Sequence, residues 1–436
     1  MKRIVTLVFL LFVALPARAE IDIQTVTSPG GFDAWLVEEH SIPFVALELR
    51  FRGGTSLDLP GKRGSVNLMT GLLEEGAADM DSRAFAAARE DLAARIRFDS
   101  NDDMVSVSAE VLTENRDAAM ALLRAALVEP RFDDAALERV RAQVLANLRN
   151  RTKDPNALAA DVFSPIAYGD HPYGSYQGGT IESVTALTRD DIVTAFDNSI
   201  ARDRVYVSAV GDITPEELGA LLDDLLGDLP ATGAPMPPDV AFQARGGLTV
   251  TPFPSPQSTA HFGHAGMGID DPDFFAAYVV NTIFGGSGYH SRLTEEVREK
   301  RGLTYGIQTY LLDYDHAEAL IGVVATVNER MADTVRVVRD EWARIAAEGV
   351  TAEELDAAKT YLTGAYPLRF DGNAPIARIL VNMQLDGRTP DYVTTRNAQI
   401  EAVTLEDANR VAAELYRPEE LMFVIAGEPE GLESTN

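Results

Sequence analysis

Two stretches of this chain repeat one another 216 positions apart, and the repeat constrains the architecture more than any other feature. Thr188 opens a helical stretch with Asp190 and Asp191 in its first turn, leading into an apolar strand, Arg204 to Val210, that stops at Gly211. Thr404 opens a second such stretch with Glu406 and Asp407, leading into Glu420 to Ala426 and stopping at Gly427. Thr188 to Thr404, Asp191 to Asp407 and Gly211 to Gly427 are all separated by 216 residues. In both copies threonine is placed to cap a helix, acidic residues complement its N-terminal dipole, and glycine ends a strand. A duplication of this span implies two similar lobes with a cleft or chamber between them.

The clearest composition break lies between the copies. Ala231 to Asp239 holds three Pro and a Gly, which preclude a helix or an inner strand. The expected division is a first lobe over 20–231, a linker over 232–247 and a second lobe over 248–436. Within the first lobe, Phe44 to Arg52 reads as a strand, and Met104 to Val111 alternates with period two, as a strand with one wet face does. Asp133 to Arg151 carries Leu137, Val140, Val144 and Leu148 at helical spacing, with Asp133 or Asp134 as cap. Strands and helices in this mixed order predict α+β lobes, each an antiparallel sheet with helices on one face.

The N-terminus reads as an export signal. Lys2 and Arg3 precede an apolar run from Ile4 to Leu15, followed by Pro16 and by Ala17-Arg-Ala19, a small-x-small site for cleavage after Ala19. Twelve apolar residues are too few to span a bilayer. The expected location is periplasmic or secreted, with no membrane association beyond export. Cleavage would take the formal charge from −29 to −32. A surface of that sign repels phosphate backbones and anionic headgroups, which argues against nucleic-acid binding. If much of that charge faces the chamber, basic peptides are preferred and salt weakens the preference. With no cysteine in the chain, thiolate chemistry, disulfides and Cys-ligated zinc are excluded, and any metal must sit on His, Asp or Glu.

Of six histidines only His261 and His264 are close in sequence. On a strand the two would point to opposite faces, so surface or hydrogen-bonded structural roles are preferred to metal ligation. No nucleophile elbow, P-loop or dinucleotide fingerprint occurs, and Phe284-Gly-Gly-Ser-Gly288 reads as a tight turn.

Several stretches together resemble the pitrilysin/insulinase (M16) family of zinc peptidases, in its two-domain, processing-peptidase-like branch. They are Pro43 to Gly76, with Phe51-Arg-Gly-Gly-Thr-Ser56 and Gly61-Lys-Arg-Gly64; His171-Pro-Tyr-Gly174; Val210-Gly-Asp212; and Phe284 to Leu293 running into Glu296-Val-Arg-Glu-Lys-Arg-Gly-Leu-Thr-Tyr305. The resemblance spans essentially the whole mature chain and implies duplicated α+β lobes closing as a clamshell. It also implies a departure. Active members carry H-x-x-E-H on a helix, two histidines holding zinc and a glutamate activating water. Here the matching positions are Asn67 for the first His, Thr70 for the Glu and Gly71 for the second His, while the third ligand, a later Glu, falls on Asn147. An amide or a glycine cannot replace an imidazole at zinc, and a threonine hydroxyl is too weak a base near pH 7. Glu74 and Glu75, one turn on, read as a solvated helix end rather than a substitute site.

The second lobe keeps the family's Arg/Tyr pair as Arg298 and Tyr305, seven residues apart across Gly302. The resemblance implies that this pair binds the substrate backbone and stabilises the tetrahedral oxyanion, and both side chains are donors at neutral pH. Without the resemblance, Arg298 reads as one of a charged helical run and Tyr305 as a half-buried strand aromatic. The expected function is a zinc-less subunit of a heterodimeric M16-type peptidase. It would be inactive alone and bind no metal, supplying Arg298, Tyr305 and half the peptide chamber to a partner that brings H-x-x-E-H and zinc. The alternative is a stand-alone peptide-binding or scaffold protein of the envelope that captures extended peptides along a sheet edge.

Overall fold

Both threonines of the repeat close a full capping box: Thr188 accepts from the Asp191 N–H and Thr404 from the Asp407 N–H, while each aspartate side chain returns to its threonine's N–H. The glycines ending the two strands sit at φ 138° (Gly211) and 152° (Gly427), where a side chain is strained. The match in sequence is thus a match in backbone.

The computed structural model describes residues 21–286, 288 and 290–435, so the expected leader, 1–19, lies outside the described residues. The first lobe runs β1 (Gln24–Thr27), β2 (Asp33–Glu38), β3 (Phe44–Arg52), α1 (Ser65–Leu72), a small hairpin of β4 (Gly76–Ala77) and β5 (Met80–Asp81), α2 (Ser82–Asp91), β6 (Arg95–Ser100), β7 (Met104–Leu112), α3 (Arg116–Val128), α4 (Asp134–Arg151), α5 (Pro155–Tyr168), α6 (Ile181–Ala186), α7 (Arg189–Ser199), β8 (Val205–Gly211) and α8 (Pro215–Leu226). The second runs β9 (Leu248–Pro252), β10 (Gln257–Ala265), α9 (Phe274–Gly285), β11 (Ile307–Tyr314), β12 (Ala317–Val327), α10 (Met331–Glu348), α11 (Ala352–Ala365), α12 (Asn373–Leu385), α13 (Tyr392–Ala402), α14 (Leu405–Leu415) and β13 (Met422–Gly427).

The main sheets are ordered β1-β2-β8-β3-β7-β6 and β9-β13-β10-β12-β11. Omitting β1, the two orders superpose strand for strand, and α1, α3, α4, α5, α6 and α7 answer to α9 through α14. Pairing is antiparallel except β2 with β8 and β9 with β13, each parallel. In each lobe a long helical crossover returns the last strand alongside the first, which parallel pairing requires.

Each sheet has its own helices on one face. On β3, Val45, Leu47, Leu49 and Phe51 point into that core. The other face takes a helix from the opposite lobe. α12 lies on β3 and β8, packing Ala377, Leu380 and Met383 against Trp35, Ala46 and Val210. α5 lies on β10 and β13, packing Phe163, Ala167 and Tyr168 against Met422 and Val424. The inner face of the first sheet is also polar: Glu48 and Arg50 form a buried pair at 2.8 Å, Ser208 Oγ donates to Ala377 O at 2.6 Å, and Gln384 Nε2 donates to Val207 O at 2.7 Å. The segment after α8 holds no helix or strand until β9, yet it is packed: Phe242 and Ala244 are buried, and Val240 N donates to His316 O. Among the described residues no helix is long and apolar enough to cross a membrane.

The β11–β12 turn docks on the first lobe. Asp315 meets Arg52 at 3.1 Å, His316 N donates to Tyr173 Oη at 3.2 Å, and Tyr173 in turn donates to Asp103. Burial, aided by the nearby Asp315 and Asp102 carboxylates, pushes Asp103 up to about 6 from 3.8. A carboxyl with a raised folded-state value is neutral in the fold while still ionised in the unfolded chain, so it costs stability as pH rises from about 4 through 6. Asp103→Asn keeps the acceptor for Tyr173 and removes that cost. We expect it to raise the thermal midpoint above pH 6 and leave it unchanged below about pH 4, read by a melting series across that range. Equal effects at both ends would show that Asp103 carries no such penalty.

Candidate functional site

Three of the four degenerate positions lie on α1, whose start is fixed by Asp58: its carboxylate accepts from Gly64 N (2.7 Å), Ser65 Oγ (2.6 Å) and Val66 N (2.9 Å). α1 packs on α4, which carries the fourth. Asn67 is half-buried. Thr70 is buried and its hydroxyl donates to Val66 O at 2.8 Å, a bond within the helix that turns it away from any water. Gly71 is exposed, and a Cβ there would meet only Val140 Cγ1, at 3.0 Å. Asn147 is exposed and its Oδ1 accepts from Gln143 at 3.1 Å. Glu74 and Glu75 are not simply solvated, as the sequence reading had them: Glu74 pairs with Arg89 and Glu75 with Arg139. Among the described residues no group of three or more His, Asp or Glu is placed to hold a metal ion. We therefore expect the purified chain, dialysed against buffer with micromolar zinc, to retain far less than one equivalent by elemental analysis; stoichiometric zinc would overturn this account of α1 and α4.

The histidine pair on β10 is divided between two faces. His261 Nε2 lies 2.9 Å from Asn156 Oδ1 on α5. His264 is fully buried; the Trp342 indole donates to its Nε2 at 3.1 Å, so Nδ1 carries the proton and donates to Ala265 O at 2.8 Å. Burial pushes both imidazoles down to about 4, which keeps them neutral at pH 7.

The second-lobe pair is held differently from its surroundings. Thr294 to Glu299 form a single wide π-type turn, closed by Lys300 N to Glu295 O at 2.9 Å; such turns are often found at functional sites. The ionisable groups around Arg298 pair with one another: Lys300 with Glu295 and Glu296, and Arg301 with Glu296, while His290 Nδ1 lies 3.6 Å from Glu299 Oε1. Arg298 is exposed and, among the described residues, has neither an ion pair nor a side-chain hydrogen bond. Gly302, at φ 59°, breaks the turn. Beyond it Leu303 is buried and the Thr304 hydroxyl donates to Ala325 O at 2.7 Å, pinning the loop to β12. Tyr305 consequently projects outward at 93% exposure, the highest among the large apolar and aromatic side chains described, and lies two residues before β11 rather than on it. The chain thus presents a free guanidinium and a free phenol close together in sequence on a pinned loop, both able to donate to an oxyanion or a peptide carbonyl.

Comparison with known proteins identifies the family. Residues 186–362 match the family model described as the peptidase M16 inactive domain. An uncharacterized zinc protease of Mycobacterium tuberculosis is 30% identical over 316 residues, covering 70% of this chain and 71% of that protein. The chain belongs to the peptidase M16 family. Within the family it is similar to the non-peptidase homolog YmxG of Helicobacter pylori, at 27% identity over 94% of each chain. The M16 inactive domain of Pseudomonas fluorescens, a crystal structure, superposes with a TM-score of 0.87 at 28% identity over 94% of this chain and 99% of that one. At the four positions this M16 member carries Asn67, Thr70, Gly71 and Asn147, of which Thr70 is buried, Asn67 half-buried and the other two exposed.

Proposed function

We propose that this chain is the zinc-less half of a two-chain M16 peptidase. A partner subunit brings H-x-x-E-H and zinc, and this chain supplies Arg298, Tyr305 and half of the peptide chamber. The observation that carries the reading is an asymmetry among the described residues: the first lobe has no group placed to hold a metal ion, while the second holds two donors without side-chain partners out to solvent. The leader-like composition of the first 19 residues supports a location outside the cytoplasm for the complex. The test is co-expression with a candidate H-x-x-E-H subunit: a one-to-one complex with chelator-sensitive peptidase activity that neither chain shows alone supports the reading, and two chains that elute separately sink it.

A second reading is favoured by the free sheet edges, β6 and β11, and by the similarity to a protein called a non-peptidase homolog. Here the chain captures extended peptides without cleaving them. Peptide binding by the isolated chain, with no partner found, would select it.

A further inference from the structure

The second lobe contains a cavity of about 500 Å³ that neither the degenerate zinc positions nor the Arg298/Tyr305 pair uses. It opens beside the free edge of β11, between the C-terminal halves of α9 and α11. Its walls carry Tyr278, Tyr310, Tyr361 and Tyr366, with Arg369 and Arg396. In the repeat, α9, α11 and β11 answer to α1, α4 and β6, so the cavity occupies the second lobe's counterpart of the neighbourhood where the zinc motif was lost. The first lobe also has a cavity beside β6, but its lining carries Glu74 and Asp99 with Arg89, Arg95 and Arg97 and, among the described residues, no tyrosine.

The polar groups at its base are already satisfied. Thr309 Oγ1 donates to Asn281 Oδ1 at 2.7 Å, Asn281 Nδ2 donates to Thr309 O at 3.3 Å, and the Thr282 hydroxyl is bonded to Tyr278 O within its helix. What this floor offers an occupant is surface rather than hydrogen bonds. The charge is the reverse of the chain's own. Among the described residues no Asp or Glu lines the cavity, in a protein with a formal charge of −29. Arg396 is buried over the Tyr366 ring at 4.3 Å and the Tyr278 ring at 5.7 Å, and its guanidinium bonds only to Leu362 O and Asn397. Arg369 is exposed at the rim and, among the described residues, has no ion pair. Tyrosine faces accept a ring, and unpaired guanidinium groups accept a carboxylate.

We propose that this cavity takes an aromatic side chain together with an adjacent carboxylate, presented by an extended peptide that adds as a strand to the edge of β11. In strand addition the backbone supplies affinity and a pocket for alternate side chains supplies selectivity. The same strand begins two residues after Tyr305, so a peptide on this edge runs toward the exposed pair. The inference therefore rests on the peptide-handling reading above and adds its side-chain class. The carboxylate is either the peptide's C-terminus or a neighbouring Asp or Glu.

The test is fluorescence anisotropy with the mature chain and four labelled ten-residue peptides of one backbone: Phe-terminal with a free carboxylate, the same amidated, the amidated form with Glu before Phe, and the free acid with Ala for Phe. Phe is expected to bind about tenfold or more tighter than Ala. One of the two acidic Phe forms is expected to bind several-fold tighter than the neutral amide, and which one names the source. Ala365→Trp, which fills the cavity, is expected to remove the Phe preference and leave the Ala peptide unchanged. Arg369→Ala, at the exposed rim, is expected to remove the carboxylate preference alone. Equal binding of the Phe and Ala peptides by the wild-type chain overturns the cavity proposal and leaves the peptide-handling reading standing, a result that does not depend on whether Ala365→Trp folds. Equal binding of acid and amide overturns its acidic half. No binding of any peptide overturns the peptide-handling reading itself.

Discussion

Replacing Arg298 by alanine in the reconstituted two-chain enzyme is expected to lower peptide turnover by about two to three orders of magnitude, the usual loss when one preorganised donor to a developing oxyanion is removed. Tyr305→Phe, which deletes only the phenol O–H, should fall in the same direction with a smaller loss. Zinc content should not change, because no metal-binding group is lost. Stability should not change either. Arg298 makes no side-chain bond among the described residues and Tyr305 is 93% exposed, so substitution at either position falls in the class of surface changes within about 0.5 kcal/mol. That separation makes the experiment decisive, since a fall in turnover cannot be assigned to unfolding or to metal loss. If the pair binds substrate and transition state equally, KM rises and kcat holds; if it acts on the oxyanion, kcat and kcat/KM fall together. Turnover at wild-type level in both variants would remove the division of labour proposed here.

Trp342→Ala should be the most damaging single change to the fold. The indole is fully buried and lies edge-on to Phe262, Phe284, Tyr416 and His264, with centroid distances of 6.0, 5.1, 5.0 and 5.3 Å. Truncating a buried tryptophan costs about 3–5 kcal/mol. The imidazole of His264 would lose the indole donor and keep only the Arg417 N–H, at 3.3 Å, worth about 0.5–1.5 kcal/mol more. Against a typical domain stability of about 5–15 kcal/mol, this brings the second lobe close to unfolding. Trp342→Phe keeps most of the packing and should cost about 1–3 kcal/mol, mainly the lost N–H bond. The shape of the transition carries further information. α12 covers the first sheet and α5 the second, so neither lobe keeps a dry inner face when the other melts. Urea unfolding followed by circular dichroism should therefore show one transition shifted to lower denaturant. Two separated transitions would mean that the lobes are thermodynamically independent.

The local units of the fold were readable because their causes are local. The strand Phe44–Arg52 and the helix ending at Arg151 are written in apolar spacing, and the repeat announced itself because a capping box and a strand-ending glycine each fix a short backbone geometry that tolerates few substitutes. What stayed hidden depends on contacts remote in sequence. Nothing in Pro155–Tyr168 or Asn373–Leu385 says that its apolar face belongs to the other lobe's sheet, because a helix pattern records that a face is buried but not against what. The parallel pairs β2–β8 and β9–β13 join strands separated by most of a lobe. The acceptor role of His264 is decided by Trp342, 78 residues away. At the candidate site, Asn67, Thr70, Gly71 and Asn147 were legible only as departures from a family pattern. The exposure of Tyr305 came from the pinning of Thr304 to β12, which spacing does not encode. The tyrosine-lined cavity has no sequence signature because its aromatics come from two helices, a turn and a strand with no common period.

The exchange of α5 and α12 sets an order of events during synthesis. The last strand of the first sheet is complete at Gly211, but the helix that seals its inner face ends at Leu385. At about 5–20 residues per second the ribosome needs roughly 9–35 s to cover that interval. Throughout it, a six-stranded sheet whose polar inner face carries Glu48 and Arg50 has no lid. A chain built this way cannot complete its first lobe until α12 has been made, which leaves that sheet open to chaperones over the whole interval.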